Sequence, residues 1–464
     1  MPPQLAGGIT GPAHLRPLLD TVLDALTAGA TARGGPLPSG GPDAVAHHVR
    51  DACTPVIPHT GTGADHALRT LVHALAAGSA DPAHPRCVAH LHCPPLALAV
   101  AADLAATALN PSLDSWDQAP AASALEAETT AALAALVYPG LQAPDALVTT
   151  GGTESNHLAL LLARERHPGA PALRVVCGAN AHHSIGRAGW LLGLPPAHVL
   201  PTPAGTLDPA ALHTALADLG ERRDTGPVLV VATAGSTDTG AIDPLPEIAH
   251  TAAAHGAELH IDAAYGGPLL FSDREAHRLH GLPFADSVTL DLHKLGWQPV
   301  AAGLLAVRDT TALRPLGHHA DYLNADDDTA AGLPDLLGRS PRTSRRPDVF
   351  KIAVTLRALG REGLGALIDA VCDQAQHLAD LIDAHPALTL RGRPEISTVL
   401  FRPTHADDAH VAALRRRLLH DGHAVLGRAH ADGRLWLKAT LLNPHTRPAD
   451  LTALLHLTTE GTAR

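Results

Sequence analysis

Between about residues 145 and 310 the chain alternates short apolar runs with longer helical stretches. The runs fall at 146–150, 174–177, 228–233, 259–262, 287–290 and 303–307. Short β-rich runs separated in this way predict a mostly parallel sheet wrapped by helices, an α/β fold. The alternation stops near 310. A polar loop rich in Asp and Gly follows over 317–346, then one long helix over about 348–384. Strands at 397–402 and 435–439, with helices at 408–420 and 448–458, then suit a small α+β domain. Upstream, helices are expected at 13–30 and 43–53, joined by a Gly/Pro-rich connector over 34–42. Alanine-rich helical segments occupy 84–140 around a polar break at 110–118, a matter of helix propensity and not of repeats. The division that results is an N-terminal helical segment (1–83), a large α/β domain (84–310), a loop with a connecting helix (311–384) and a small C-terminal α+β domain (385–464).

Composition narrows the function classes. With 464 residues, 45% hydrophobic and 17% charged, the chain has ample core for two or three structural units. Aromatic residues make up 2%, so alanine, leucine and valine must do the packing. A net charge of −12 argues against a nucleic-acid partner and mildly favours cationic ligands. The bias toward Ala, Arg, Pro, Gly and His has the look of GC-rich codon usage, so the 32 histidines carry little weight as metal ligands and no metal site is expected. Five cysteines without a Cys-x-x-Cys pair fit a reducing cytoplasm better than a disulfide framework. Neither a signal peptide nor a membrane span is expected, and the reading is of a cytoplasmic protein.

Among 34 Lys+Arg only Lys294, Lys351 and Lys438 are lysines. Arginine stays protonated, whereas a desolvated lysine amine can form a Schiff base. Lys294 follows the strand-like run Ser287-Val288-Thr289-Leu290-Asp291 and stands beside His293, which makes it the leading candidate for covalent chemistry. Three more segments fall at strand ends, where open sheets place their ligands. In Thr149-Thr150-Gly151-Gly152-Thr153-Glu154-Ser155-Asn156 the glycines read either as a phosphate cradle at a helix start or as a turn with a threonine N-cap. In His260-Ile261-Asp262-Ala263-Ala264-Tyr265 the aspartate either faces a flat ligand or caps a turn. In Ala181-His182-His183-Ser184 the imidazole either stacks on an aromatic ring or caps a helix.

In this chain order the four elements are the parts needed to hold pyridoxal phosphate. The sequence resembles the pyridoxal-phosphate-dependent decarboxylases of the aromatic-amino-acid and glutamate decarboxylase group, over about 43–458. His84-Pro85, Ser115-Trp116-Asp117-Gln118-Ala119-Pro120 and Leu125-Glu126 also match that group. The resemblance implies the fold-type-I, aspartate aminotransferase-like architecture, and a homodimer with shared active sites. It implies that Lys294, preceded by His293, forms the Schiff base with the coenzyme, and that Asp262 pairs with its pyridine nitrogen. Ala264 would lie under the ring and His182 above it. Gly151, Gly152 and Thr153 would bind the phosphate, with Asp291 near it, and Thr237 would line the site by the ring oxygen.

Within the group the text is most similar to bacterial diamino-acid decarboxylases, of the L-2,4-diaminobutyrate and siderophore lysine/ornithine kind. The matching pieces are His90-Leu91-His92-Cys93-Pro94-Pro95, Asp114-Ser115-Trp116, Asp321-Tyr322-Leu323-Asn324, Thr343-Ser344-Arg345-Arg346 and Leu441-Leu442-Asn443-Pro444. His92, Cys93 and Asp114 are the implied substrate residues. Where aromatic-acid relatives carry an aromatic residue reaching over from the other subunit, Asp114 offers a carboxylate that favours a terminal ammonium; the plainer reading is a turn cap after Pro111. The loop tyrosine that returns a proton to Cα in many relatives has no counterpart over 324–346, leaving Tyr322, His318, His319, His182 or water. A neutral aliphatic amino-acid decarboxylase and an oxidative decarboxylase giving an aldehyde are the alternatives.

Overall fold

A computed structural model describes residues 3–221 and 226–459. The chain groups into two compact units, one of Met1–Pro94, Asp373–Arg393 and Ser397–Arg464, the other of Pro95–Cys372 and Pro394–Ile396.

The second unit is built on a seven-stranded sheet: β1 (Asp145–Thr149), β2 (Arg174–Gly178), β3 (His198–Leu200), β4 (Val228–Thr233), β5 (Glu258–Ala263), β6 (Ser287–Asp291) and β7 (Gly303–Val307). Their order is β1-β7-β6-β5-β4-β2-β3. β7 runs antiparallel to both neighbours, and the other pairings are parallel. All five positions of β6 and of β7 are buried, as a sheet covered on both faces requires. Helix Gly152–Glu165 packs Leu160 and Ala163 with Val175 and Val231, and Leu158 and Leu162 with Leu147 and Leu305. Six strands lie where the apolar runs predict. The edge strand β3 lacks such a signal because His198 and Val199 are exposed.

In the first unit, helices Gly11–Arg33, Gly41–Cys53 and Ala64–Gly78 accompany an antiparallel sheet of β8 (Leu388–Leu390), β9 (Thr398–Pro403), β10 (Gly427–Ala431) and β11 (Arg434–Thr440), in the order β10-β11-β9-β8. Helices Asp408–His420 and Pro448–Thr459 bury Leu414 and Leu454 in one core with Val399, Phe401 and Leu437. Helix Ala64–Gly78 and strands β8 and β10 are additions to the sequence reading. β10, Gly-Arg-Ala-His-Ala, offers too little apolar surface to announce itself. Between the two sheets in sequence runs the expected long helix, Val349–Asp383, interrupted at Gly360 (φ 63°).

Candidate active site

The strand-end features of the second unit follow the carboxyl ends of its parallel strands. After β1 the backbone turns through Gly151 at φ 153°, ψ 178°, a conformation essentially reserved for glycine. The helix begins at Gly152, so Thr153 stands exposed in the first turn and is not the N-cap. A Cβ on Gly152 would come within 2.9 Å of Ala264 Cβ and 3.2 Å of Asp291 Oδ2, and one on Gly151 within 3.0 Å of His293 Cε1. The two glycines therefore let a helix N-terminus, with its unbonded N–H groups and positive dipole end, close against Ala264, Asp291 and His293.

β6 ends at Asp291, and the one-turn helix Leu292–Leu295 carries Lys294. Lys294 Nζ lies 2.7 Å from Asp291 Oδ2, and His293 Nε2 lies 3.6 Å from the same oxygen. Asp291 is buried, and its Oδ1 accepts no hydrogen bond. Burial lowers the pKa of His293 more than the Asp291 charge raises it. The other two lysines are more deeply buried than Lys294, Lys351 at 1% and Lys438 at 7% exposure. Lys351 is neutralised by Asp348 at 3.2 Å and Asp103 at 3.3 Å. Burial thus does not single out Lys294; its position beside the glycine turn does.

Asp262, near the end of β5, pairs in register with Thr233 of β4 and Thr289 of β6. Its Oδ1 accepts from the Ala264 N–H at 3.1 Å and its Oδ2 from Asn156 Nδ2 at 2.8 Å, so it is both a local turn bond and part of a longer network. Asn156 Nδ2 also donates to Ser184 Oγ at 2.9 Å, while Asn156 Oδ1 meets Thr289 Oγ1 at 2.9 Å and His260 Nε2 at 3.0 Å. His260 Nδ1 lies 2.8 Å from Ser287 Oγ. Complete burial pushes the His260 pKa down to about 4 despite the nearby Asp262 charge. His182 Nδ1 lies 2.8 Å from Ser184 Oγ and 3.3 Å from the Ser184 N–H, so this imidazole does bond the start of the following helix. Its pKa is also lowered by burial, opposed by the Asp262 charge and reinforced by His183 and Lys294.

The fold therefore gathers Gly151, Gly152, Ala264, Asp262, His182, Asp291, His293 and Lys294. Thr237 lies in the exposed loop after β4. Tyr322 is 81% exposed and stands outside the hydrogen-bonded group. Exposed His92 and buried Cys93 belong to the first unit. Asp114 is buried; its Oδ2 accepts from Ser344 Oγ at 3.5 Å, while Oδ1 has no hydrogen-bond partner. Asn156, Ser184, His260 and Thr289 had no assigned part in the sequence reading. For His260 and Thr289 the available signal is a polar residue inside a mostly apolar strand, since burial there demands a partner; Asn156 and Ser184 lie on helices and carry no such signal. The loop segment is pinned near its end: Arg339 pairs with Asp145, Arg342 with Glu154 at 3.0 Å, and buried Arg345 with Glu126 through two bonds of 2.7 and 2.8 Å.

The family profile described as pyridoxal-dependent decarboxylase conserved domain matches residues 57–404. The L-2,4-diaminobutyrate decarboxylase of Rhizobium meliloti (strain 1021) is 43% identical over 408 residues, 84% of this chain and 81% of that protein. That of Acinetobacter baumannii is 33% identical over 418 residues, 83% of this chain and 81% of its own. The crystal structure of the glutamate decarboxylase domain of diaminobutyrate-pyruvate transaminase and L-2,4-diaminobutyrate decarboxylase from Vibrio parahaemolyticus has a TM-score of 0.85 at 31% identity, covering 98% of this chain and 97% of that one. The residues present fit pyridoxal phosphate. A glycine turn that a Cβ would fill leaves room for a phosphate at a helix N-terminus. Asp262 is a buried carboxylate held by N–H donors, suited to a ring N–H, and the Lys294 side chain keeps 18% exposure.

Proposed function

The chain belongs to the pyridoxal-dependent decarboxylase family, and from that premise we propose that it converts an L-diamino acid, L-2,4-diaminobutyrate first among candidates, to its diamine and carbon dioxide. Beyond family membership, the observation that carries the reading is the gathering of Lys294, Asp262 and His182 around one glycine turn.

Pyridoxal phosphate, when bound, supplies an electron sink for the pair left behind as carbon dioxide departs. Lys294 would offer the amine that tethers it, with the Asp291 carboxylate 2.7 Å from that amine. Gly151, Gly152 and Thr153 would hold its phosphate, Asp262 would keep a proton on its pyridine nitrogen, and Ala264, His182 and Thr237 would line the ring. A proton replaces the lost carboxylate at Cα, donated by Tyr322, His318, His319, His182 or water. For substrate choice, Asp114 is a buried carboxylate with an oxygen to spare, which favours a terminal ammonium over a neutral side chain. No helix among the described residues is long and apolar enough to cross a membrane. The reading is completed by a cytoplasmic homodimer with shared active sites, serving siderophore or other specialised metabolism.

A panel of L-2,4-diaminobutyrate, lysine, ornithine and neutral aliphatic amino acids, assayed for carbon dioxide, amine and hydrogen peroxide, tests this. Diamine and carbon dioxide in equal amounts without peroxide are expected. Turnover of neutral substrates alone would overturn the diamino-acid reading. Peroxide with aldehyde would point to the oxidative alternative, which the absence of tyrosine over 324–346 favours.

A further inference from the structure

The hydrogen bonds around Asn156 admit one consistent placement of protons. Asp262 Oδ2 can only accept, so the group facing it at 2.8 Å is the Asn156 NH2. That fixes the amide: its second proton goes to Ser184 Oγ at 2.9 Å, and Oδ1 must accept from Thr289 Oγ1 and from His260 Nε2–H. With its proton on Nε2, neutral His260 accepts on Nδ1 a hydrogen bond from the Ser287 hydroxyl at 2.8 Å. Ser184 Oγ, already accepting from Asn156, has its own proton left for His182 Nδ1 at 2.8 Å. The Ser184 backbone N–H points at the same nitrogen from 3.3 Å. A proton on His182 Nδ1 would face that N–H and strand the serine hydroxyl proton. The arrangement is directional from Ser287 to His182, and Asn156 is its branch point.

We propose that Asn156 is a positioning residue, oriented by His260 and Thr289, that holds Asp262 as an acceptor and, through Ser184, keeps the ring proton of His182 on Nε2. The imidazole then presents an N–H, and not a lone pair, on the side away from Ser184. Asp262 and His182 are both set by one amide and respond together to its loss. This rests on the roles given to Asp262 and His182 above, but the readout that decides it is proton position and not turnover.

The test is magic-angle-spinning 15N NMR of the histidine-labelled holoenzyme, with the His182 signals assigned by their disappearance in His182→Gln. The parent should show a pyridine-type Nδ1 and a pyrrole-type Nε2. Ser184→Ala and Asn156→Leu should each give a mixed tautomer at His182. Asn156→Leu should also lower kcat at least tenfold, with KM changing less than threefold, because Asp262 loses a donor to its buried charge. Thr289→Val, which leaves His260 holding the amide, should keep the parent tautomer. A protonated Nδ1 in the parent, or an unchanged tautomer in Ser184→Ala, overturns the proposal, and the serine variant decides should Asn156→Leu not fold. If the holoenzyme decarboxylates no diamino acid while these signals appear as described, the substrate reading fails and this inference stands.

Discussion

Replacing Asp114 by asparagine removes a charge without changing shape, and the structure predicts opposite effects on stability and on substrate choice. One carboxylate oxygen has no hydrogen-bond partner and the other has only the 3.5 Å contact with Ser344 Oγ, so the buried charge is poorly compensated. Neutralising it should therefore stabilise the coenzyme-loaded enzyme by about 1 kcal/mol, a rise on the order of 1 °C in Tm. A hydrogen bond between this carboxylate and a substrate ammonium contributes about 1.5–3 kcal/mol. Losing it should lower kcat/KM for L-2,4-diaminobutyrate roughly ten- to hundredfold. A neutral amino acid of the same length should change less than about threefold, since it never formed that bond. Steady-state release of carbon dioxide on both substrates, paired with thermal unfolding, measures all three quantities. Equal losses on the two substrates would refute the assignment of Asp114 to substrate recognition, and a lower Tm would refute the poor compensation of its charge.

Lys294→Ala should abolish both turnover and the visible absorbance of the tethered coenzyme, whereas Lys438→Arg, carried in β11 of the first unit, should keep the absorbance; spectra of the two variants check this. Arg345→Ala leaves Glu126 buried without its partner and should cost about 3–5 kcal/mol in urea unfolding. Arg342→Ala breaks a partly exposed pair with Glu154 and should cost less than about 1 kcal/mol, appearing instead as faster proteolysis within 317–346. Burial holds the His260 pKa at about 4 in the folded protein, below its unfolded value near 6.5, so the unfolded chain binds the proton first on acidification. The contribution is complete above pH 6.5 and is lost as pH falls toward 4, by about 2 kcal/mol at pH 5. Unfolding titrations at pH 7 and pH 5 should show that much less acid sensitivity in His260→Gln than in the parent.

The local pattern of apolar residues was enough to place six strands of the large sheet and the helix Val349–Asp383, because elements covered by the core keep a mostly apolar run or face. Adjacent residues near the strand ends also made Lys294, Asp262, His182 and the glycine pair candidates, each open to a plainer structural reading as a turn, a cap or a solvated charge. What lies between those residues was decided by strand order. Placing β5 between β4 and β6 brings Asn156 onto Asp262, 106 positions later, and onto Thr289, 133 positions later. No local rule reaches that far: each residue alone reads as an ordinary polar side chain, and only burial obliges it to find a partner. The same holds for Lys351 and Arg345, which sequence context presents as plain positive charges and the fold buries against Asp103, Asp348 and Glu126. The grouping of the N-terminal helices with the C-terminal sheet is likewise a matter of packing, because hydrophobic faces choose partners by shape and not by distance along the chain.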